Sequence, residues 1–261
     1  MTPAESRQTM TSAESRHQMT SAESRHTMTS GGAALLHPLS LSSAQVTFTG
    51  RAEGDMGRGG GAVIDVRPDV AARRRAVVDL PWTWLRQVHG ADVVRVKGPG
   101  GGAGAQADAV VTAKAGLALA VLTADCAPVA LASAEGVIGV AHAGWRGVAA
   151  GVIDATVQEM RALGATEIEA VVGPCIHPEC YTFGAGDLDQ VASVLGDEVR
   201  ATTEAGDPAL DLPGAVHAAL AAAGVKLSAI ADVDICTACS SEYFSWRARG
   251  ELQRQAAVIW R

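Results

Sequence analysis

Aromatic residues are scarce in this chain, with 5 Trp, 2 Tyr and 3 Phe among 261 residues, or 4%. A core with so few rings must be filled by small aliphatic side chains, and the abundance of alanine, glycine and valine favours sheet-rich α/β or α+β packing. Long apolar runs are missing too. No stretch approaches the ~18 consecutive apolar residues of a membrane span, and the first residues lack the basic-then-apolar pattern of a signal peptide. A cytoplasmic location without a membrane partner is therefore expected. Five cysteines are too few, and odd in number, for a disulfide framework in a chain of this length, so they are expected as thiols. Basic residues are in deficit: Lys plus Arg is 21 against 28 for Asp plus Glu, a formal charge of −7. No global basic field is available to hold nucleic acid, and small molecules, with no protein partner, are the expected partners. The 48% of hydrophobic and 19% of charged residues exclude disorder of the whole chain.

What is present begins with a repeat of period nine: MTPAESRQT, MTSAESRHQ and MTSAESRHT, starting at Met1, Met10 and Met19. Each copy has no large aliphatic residue beyond its Met, so it cannot bury enough apolar area to offset the entropy of ordering. Residues 1–36 are accordingly expected as a disordered tail, and 37–261 as one domain without an internal linker. Within the domain, short β-branched or alternating runs predict strands at 46–49, 62–66, 82–88, 93–97, 109–112, 117–123, 129–132, 137–141, 168–172, 230–235 and 255–260. Helices are expected at 68–80, 188–199 and 215–223. A longer helix is expected over 147–163, where Val148, Val152, Ile153, Val157, Met160 and Leu163 recur at spacings near 3.6 and Gly164 marks a stop. The glycine-rich runs at 54–61 and 98–104 lack the GxxxxGK[ST] pattern and read as loops. Consecutive strands with only some helical crossovers point to a mixed α+β domain.

Three segments stand out by residue type: Gln87-Val88-His89-Gly90, Thr123-Ala124-Asp125-Cys126 and His142-Ala143-Gly144-Trp145-Arg146-Gly147, each at a predicted strand end. Two imidazoles and a thiolate can make a three-ligand zinc site that leaves a fourth position open. The same residues also suit strand-end hydrogen bonding and a packed thiol, and spacing alone leaves both readings open. Arg146, at the predicted start of a helix, is either an anion-binding guanidinium beside free backbone N–H groups or an ordinary surface arginine. Trp145 lies between a candidate ligand and Arg146 and is a candidate pocket wall. Asp125, beside Cys126, is a candidate acid or base, or a turn residue. Cys236-x-x-Cys239 and the looser Cys175-x4-Cys180 have spacings of the kind zinc knuckles use, but packed or pocket-lining thiols are the expected role.

Taken together, QVHGADVV, TADCAPV, AHAGWRG, GPCIHPECYTFG and the segment from Asp234 to Arg261 resemble the YfiH-like family, described variously as laccase-like polyphenol oxidoreductases, peptidoglycan-editing factors and purine nucleoside phosphorylases. The resemblance covers about 82–261 in order. It implies a single four-layer α/β/β/α domain, with β-sheets sandwiched between helices, and a metal site of His89, Cys126 and His142. It also implies substrate-binding roles for Gln87, Trp145, Arg51 and Arg247. The sequence departs from the family pattern in places: Arg51 is followed by Ala52-Glu53-Gly54 where paired glycines are usual, an NLG-type stretch before QVHG is absent, and Ser245-Trp246-Arg247-Ala248 keeps one arginine of an SYRR-like pair.

The activity implied is zinc-dependent phosphorolysis of purine nucleosides (adenosine, inosine or methylthioadenosine), giving base and ribose 1-phosphate, with adenosine deamination as a further activity and copper as another possible metal. Arg146 is the expected phosphate-binding catalytic residue and Asp125 the expected acid or base. Competing readings are a Cys–His hydrolase acting on peptidoglycan precursors, a copper-dependent polyphenol oxidoreductase, and a metal-stabilised binding module without enzymatic activity.

Overall fold

Small side chains at alternate positions make the strands of this protein, and the alternation sorts them onto two faces of two stacked sheets. The computed structural model describes residues 38–57 and 67–261, which fall in one compact unit, Ala34–Arg261. The predicted tail at 1–36, the strand at 62–66 and residues 58–61 of the glycine-rich run at 54–61 lie outside the described residues. In chain order the strands are β1 (Leu39–Leu41), β2 (Ala44–Phe48), β3 (Trp82–Trp84), β4 (Val93–Arg95), β5 (Ala109–Thr112), β6 (Ala118–Thr123), β7 (Ala127–Ser133), β8 (Ile138–Ala143), β9 (Ile168–Val172), β10 (Arg200–Thr202), β11 (Pro208–Leu210), β12 (Ile230–Asp232) and β13 (Gln255–Trp260). The helices are α1 (Pro68–Val77), α2 (Trp145–Ala149), α3 (Val152–Ala162), α4 (Ala185–Leu195), α5 (Leu212–Ala222) and α6 (Trp246–Arg249).

A six-stranded mixed sheet runs β12-β9-β7-β8-β5-β4, and a five-stranded one runs β1-β2-β13-β6-β3. Both contain parallel and antiparallel pairs: β4 with β5, β9 with β12 and β3 with β6 are parallel, and the remaining neighbours are antiparallel. β10 and β11 form a separate antiparallel pair.

Three buried clusters fill the spaces between layers. Leu119 and Val121 of β6, Ala257 and Ile259 of β13, and Ala130, Ala132, Ile138 and Val140 of β7 and β8 meet between the sheets. The alternate residues Val129, Leu131 and Ala141 face helical residues that include Val152, Val157, Met160, Val191 and Val216. On the far side of the five-stranded sheet, Ala118, Ala120, Ala256 and Val258 pack with Met56, Trp82 and, at the end of α1, Val77. Helices, two sheets and, beyond them, α1 thus stack in the expected four layers, as a mixed α+β fold.

Among the predicted elements whose bounds changed, two bear on the site. The helix expected over 147–163 is broken into α2 and α3 because Gly151 takes a left-handed conformation, φ +91°, which stops one helix and starts the next. The 3.6-residue apolar spacing runs through the break unchanged, since Val148, Val152, Ile153, Val157 and Met160 enter the same core cluster. The strand expected over 82–88 ends at Trp84. Beyond it the Gln87 side chain takes over the pairing: its amide donates to Leu122 O at 2.7 Å and accepts from Leu122 N at 2.8 Å.

Candidate functional site

His89 and Cys126 come from turns at sheet ends, and His142 from the end of strand β8. After Gln87 the chain winds around one carboxylate: the N–H groups of Val88, His89 and Gly90 donate to Asp108 at 3.1, 2.9 and 2.8 Å. This turn places His89 at φ +60°, a conformation that costs a non-glycine residue about 1–2 kcal/mol and is offset here by the charge-assisted hydrogen bonds. Asp108 also binds the ring of His142, with Nδ1 to Oδ1 at 2.8 Å. Asp108 stands just before β5, which pairs with β8, and its carbonyl accepts from His142 N at 2.7 Å. Burial alone would raise the Asp108 carboxyl, but the His142 ring and the turn N–H groups outweigh it and hold the group at about 2.

Cys126 lies where the chain passes from β6 of one sheet to β7 of the other. Its Sγ is 3.7 Å from Nε2 of His89, and one ligand atom from each of His89, Cys126 and His142 falls within 4.8 Å of the others. The two imidazole rings meet edge to face at 4.8 Å. Burial disfavours charge on both Cys126 and His142, yet their mutual attraction, with Asp108 behind the ring, draws the pair towards thiolate and imidazolium. Because Asp108 engages Nδ1 of His142, Nε2 is the nitrogen left for a ligand. Gly144 completes the cradle: a Cβ there would lie 2.8 Å from Cδ2 of His89 and 2.9 Å from Sγ of Cys126. Two imidazole nitrogens and a sulfur drawn towards thiolate, with a carboxylate orienting one ring, are a donor set that fits zinc or copper.

The three side chains open into a cavity of about 720 Å³. Among the described residues its wall carries four arginines (Arg86, Arg146, Arg247 and Arg254) and four aromatic residues (Trp84, Trp145, Tyr181 and Trp246). The Arg146 guanidinium stacks on Trp145 at 4.2 Å, and that of Arg247 lies over Tyr181 at 4.9 Å. Trp145 in turn packs edge to face on Phe183 at 5.3 Å. α2 has only five residues, so the helix field expected behind Arg146 is slight and its anion affinity rests on the guanidinium.

Gln87, Asp125, Trp145, Arg146 and Arg247 all line this cavity with the three candidate ligands. The polar groups of three of them are already engaged, that of Arg247 through Nη1, which donates to Thr182 O at 3.2 Å. The Gln87 amide is held by Leu122, and the Asp125 carboxylate accepts from Thr237 Oγ1 at 2.7 Å and from Arg247 N at 2.6 Å. Arg51 is not among the cavity residues. Its guanidinium pairs with Glu251 at 2.5 Å, donates to Ser241 O and stacks on Phe244, because the chain after β2 turns towards the segment that precedes β13. Sequence reasoning missed Asp108, whose role depends on β5 pairing with β8. It also missed Arg86, Arg254, Trp84, Tyr181 and Trp246 as cavity residues; Trp246, inside the SYRR-like segment, carried the clearest signal.

Residues 55–261 match the family model described as multi-copper polyphenol oxidoreductase laccase. The chain is 42% identical over 204 residues to a protein of Streptomyces griseus named purine nucleoside phosphorylase ORF3, covering 76% of this chain and 82% of that one. Among solved structures it resembles YfiH of Bacillus licheniformis, with a TM-score of 0.73 and 27% identity over 83% of this chain and 92% of that one. YlmD of Geobacillus stearothermophilus aligns with a TM-score of 0.70 and 32% identity, covering 84% and 91%. No helix among the described residues is long and apolar enough to cross a membrane.

Proposed function

The chain belongs to the multi-copper polyphenol oxidoreductase laccase family, which includes the YfiH-like proteins, and from that premise we propose that it is a metal-dependent purine nucleoside phosphorylase. The observation that carries this reading is the cavity itself, in which four arginines and four aromatic side chains surround the His89, Cys126 and His142 donor set. The naming of the Streptomyces griseus relative supports it. A volume of about 720 Å³ is within the range of small-ligand sites. The aromatic walls suit stacking of a purine, and the guanidiniums suit an oxyanion.

In the reaction, a phosphate oxygen forms a bond to C1′ of the ribose while the C1′–N9 bond breaks, and the purine departs with the electron pair and takes up a proton. Arg146 holds the phosphate against C1′, with Arg247 close by, so that reactant geometry and charge are fixed together. Both Asp125 oxygens already accept hydrogen bonds, which supports a positioning role, holding the Arg247 main chain and Thr237, over the proton transfer expected from sequence. Zinc is the metal we assign to His89, Cys126 and His142. When bound it supplies a Lewis-acid centre at the cavity wall, which suits adenosine deamination at C6 as a second activity. A second reading is favoured by one observation: the thiolate–imidazolium tendency of Cys126 and His142 is also what a Cys–His hydrolase uses.

Protein of measured metal content, incubated with adenosine, inosine or methylthioadenosine with and without phosphate, tests the proposal. Phosphate-dependent release of free base is expected, lost in Cys126→Ala. In Arg146→Ala the KM for phosphate should rise roughly 10- to 100-fold, the loss of a charge-assisted hydrogen bond. Absence of base release at every metal loading would refute the phosphorylase. Turnover of an ester or amide by metal-free protein, blocked by alkylation of Cys126, would install the hydrolase in its place.

A further inference from the structure

Away from the cavity donor set, a second group of sulfurs converges. Cys180 closes the short 3₁₀ turn Pro178–Cys180 that follows β9, and Cys236 and Cys239 lie on the loop that follows β12. β9 and β12 are parallel neighbours, so both loops leave the sheet at the same end, and backbone bonds between Cys175 and both Ile235 and Thr237 carry the pairing past the strands. Sγ of Cys180 is 3.2 Å from Sγ of Cys239, which is 3.7 Å from Oε1 of Glu179. One ligand atom from each of Glu179, Cys180, Cys236 and Cys239 lies within 4.8 Å of all the others. Cys175, the thiol that the spacing had offered as a partner, is buried in the core.

We propose that Cys180, Cys236 and Cys239, with Glu179 as fourth donor, form a second metal site that takes a thiophilic dication such as Zn²⁺ and has a structural role. Tetrahedral zinc with sulfur at ~2.3 Å sets its donors roughly 3.7 Å apart, and the 3.2 and 3.7 Å separations already lie near that edge. The surroundings are those of a built site. His177 N donates to Sγ of Cys236 at 3.4 Å, and Ser240 N closes a turn on Cys236 O at 3.0 Å. The Arg249 guanidinium grips the same loop through the carbonyls of Thr237, Ala238, Ser240 and Tyr243, at 3.1, 3.0, 3.4 and 2.7 Å. Four protein donors leave no open position, as in structural zinc sites. The site also touches the cavity indirectly. Cys180 precedes Tyr181 in the cavity wall, and Cys236 precedes Thr237, whose hydroxyl holds Asp125 beside Cys126. A dication here fixes two loops that would otherwise be joined by backbone bonds and weak thiol contacts.

The test is a metal count, and it does not involve nucleoside turnover, so failure of the phosphorylase reading leaves it intact. Full-length protein purified under reducing conditions is incubated with excess Zn²⁺, desalted and measured by mass spectrometry of the metal. Two zinc ions per chain are expected in the wild type, one in Cys239→Ser, one in Cys126→Ser and none in the double variant. The wild-type protein supplies a second readout in case the variants fold poorly: Zn²⁺ should protect Cys180 and Cys239 from alkylation, and a chelator should expose them. A single zinc that Cys126→Ser alone removes would overturn the site. So would free alkylation of Cys180 and Cys239 in zinc-loaded protein, or a Cys180–Cys239 disulfide that persists in place of the metal.

Discussion

Gly144 is the residue on which the cavity donor set is most finely balanced. Its Cα sits so close to the ligands that one added methyl would fall 2.8 Å from the His89 ring and 2.9 Å from the Cys126 sulfur, inside van der Waals contact for both. Gly144→Ala must therefore push one ligand aside. The expected result is loss of metal from the His89, Cys126 and His142 site with retention of the fold, read as metal content beside an unchanged far-ultraviolet circular dichroism spectrum. Undiminished metal content in that variant would show that the cradle can relax. The AHAGWRG motif is legible at this scale: it marks a histidine, an arginine and a glycine, and the structure assigns the glycine to making room. Asp108 was not legible. It is a single carboxylate in ordinary surroundings, and nothing local announces that three N–H groups of a turn 18 to 20 residues earlier will close on it.

Among elements, the junction around Glu251 shows how the C-terminal segment is tied to β2. The carboxylate accepts from Arg51, from Ser245 N and from Arg249. Burial pushes its pKa up, but these donors, Arg51 foremost, outweigh it and hold the group at about 2. A folded pKa below the unfolded value near 4.5 means that the junction stabilises the fold above about pH 4.5, and that this contribution fades as pH falls towards 2. Chemical-denaturation curves from pH 6 to pH 2.5 should show the wild type losing stability over this window and Glu251→Gln losing less of it. Parallel losses in the two proteins would remove Glu251 from the account. Elements of this fold were legible where they alternate cleanly: β5, β9 and β13 have their expected bounds, since each presents alternate small residues to two packed faces. β1 and the β10–β11 pair were not, because three-residue strands carry too little period to register. The break at Gly151 escaped notice because both helices turn apolar residues to one core.

For the whole molecule, the four-layer order explains why the candidate metal ligands could be named from motifs and not from spacing. Two of them belong to different turns and the third to the end of β8, and only the stacking of two sheets brings these three places to one end. The acidic balance of −7 is likewise no guide to the cavity, where four arginines collect. Asp108 adds a consequence of another kind. By gripping the main chain around His89 and the ring of His142 at once, it orders two of the three donors ahead of any ion. A ready-made site of two imidazoles and a thiolate does not choose strongly by shape, so occupancy follows the intrinsic preference of such ligands, in which Cu²⁺ outcompetes Zn²⁺. Zinc-loaded protein exposed to equimolar Cu²⁺ should exchange metal, gain visible absorption and lose base release; retention of zinc under that challenge would mean that the pocket selects against copper. Exchange would instead make metal supply, and not the protein, decide which ion the three donors hold.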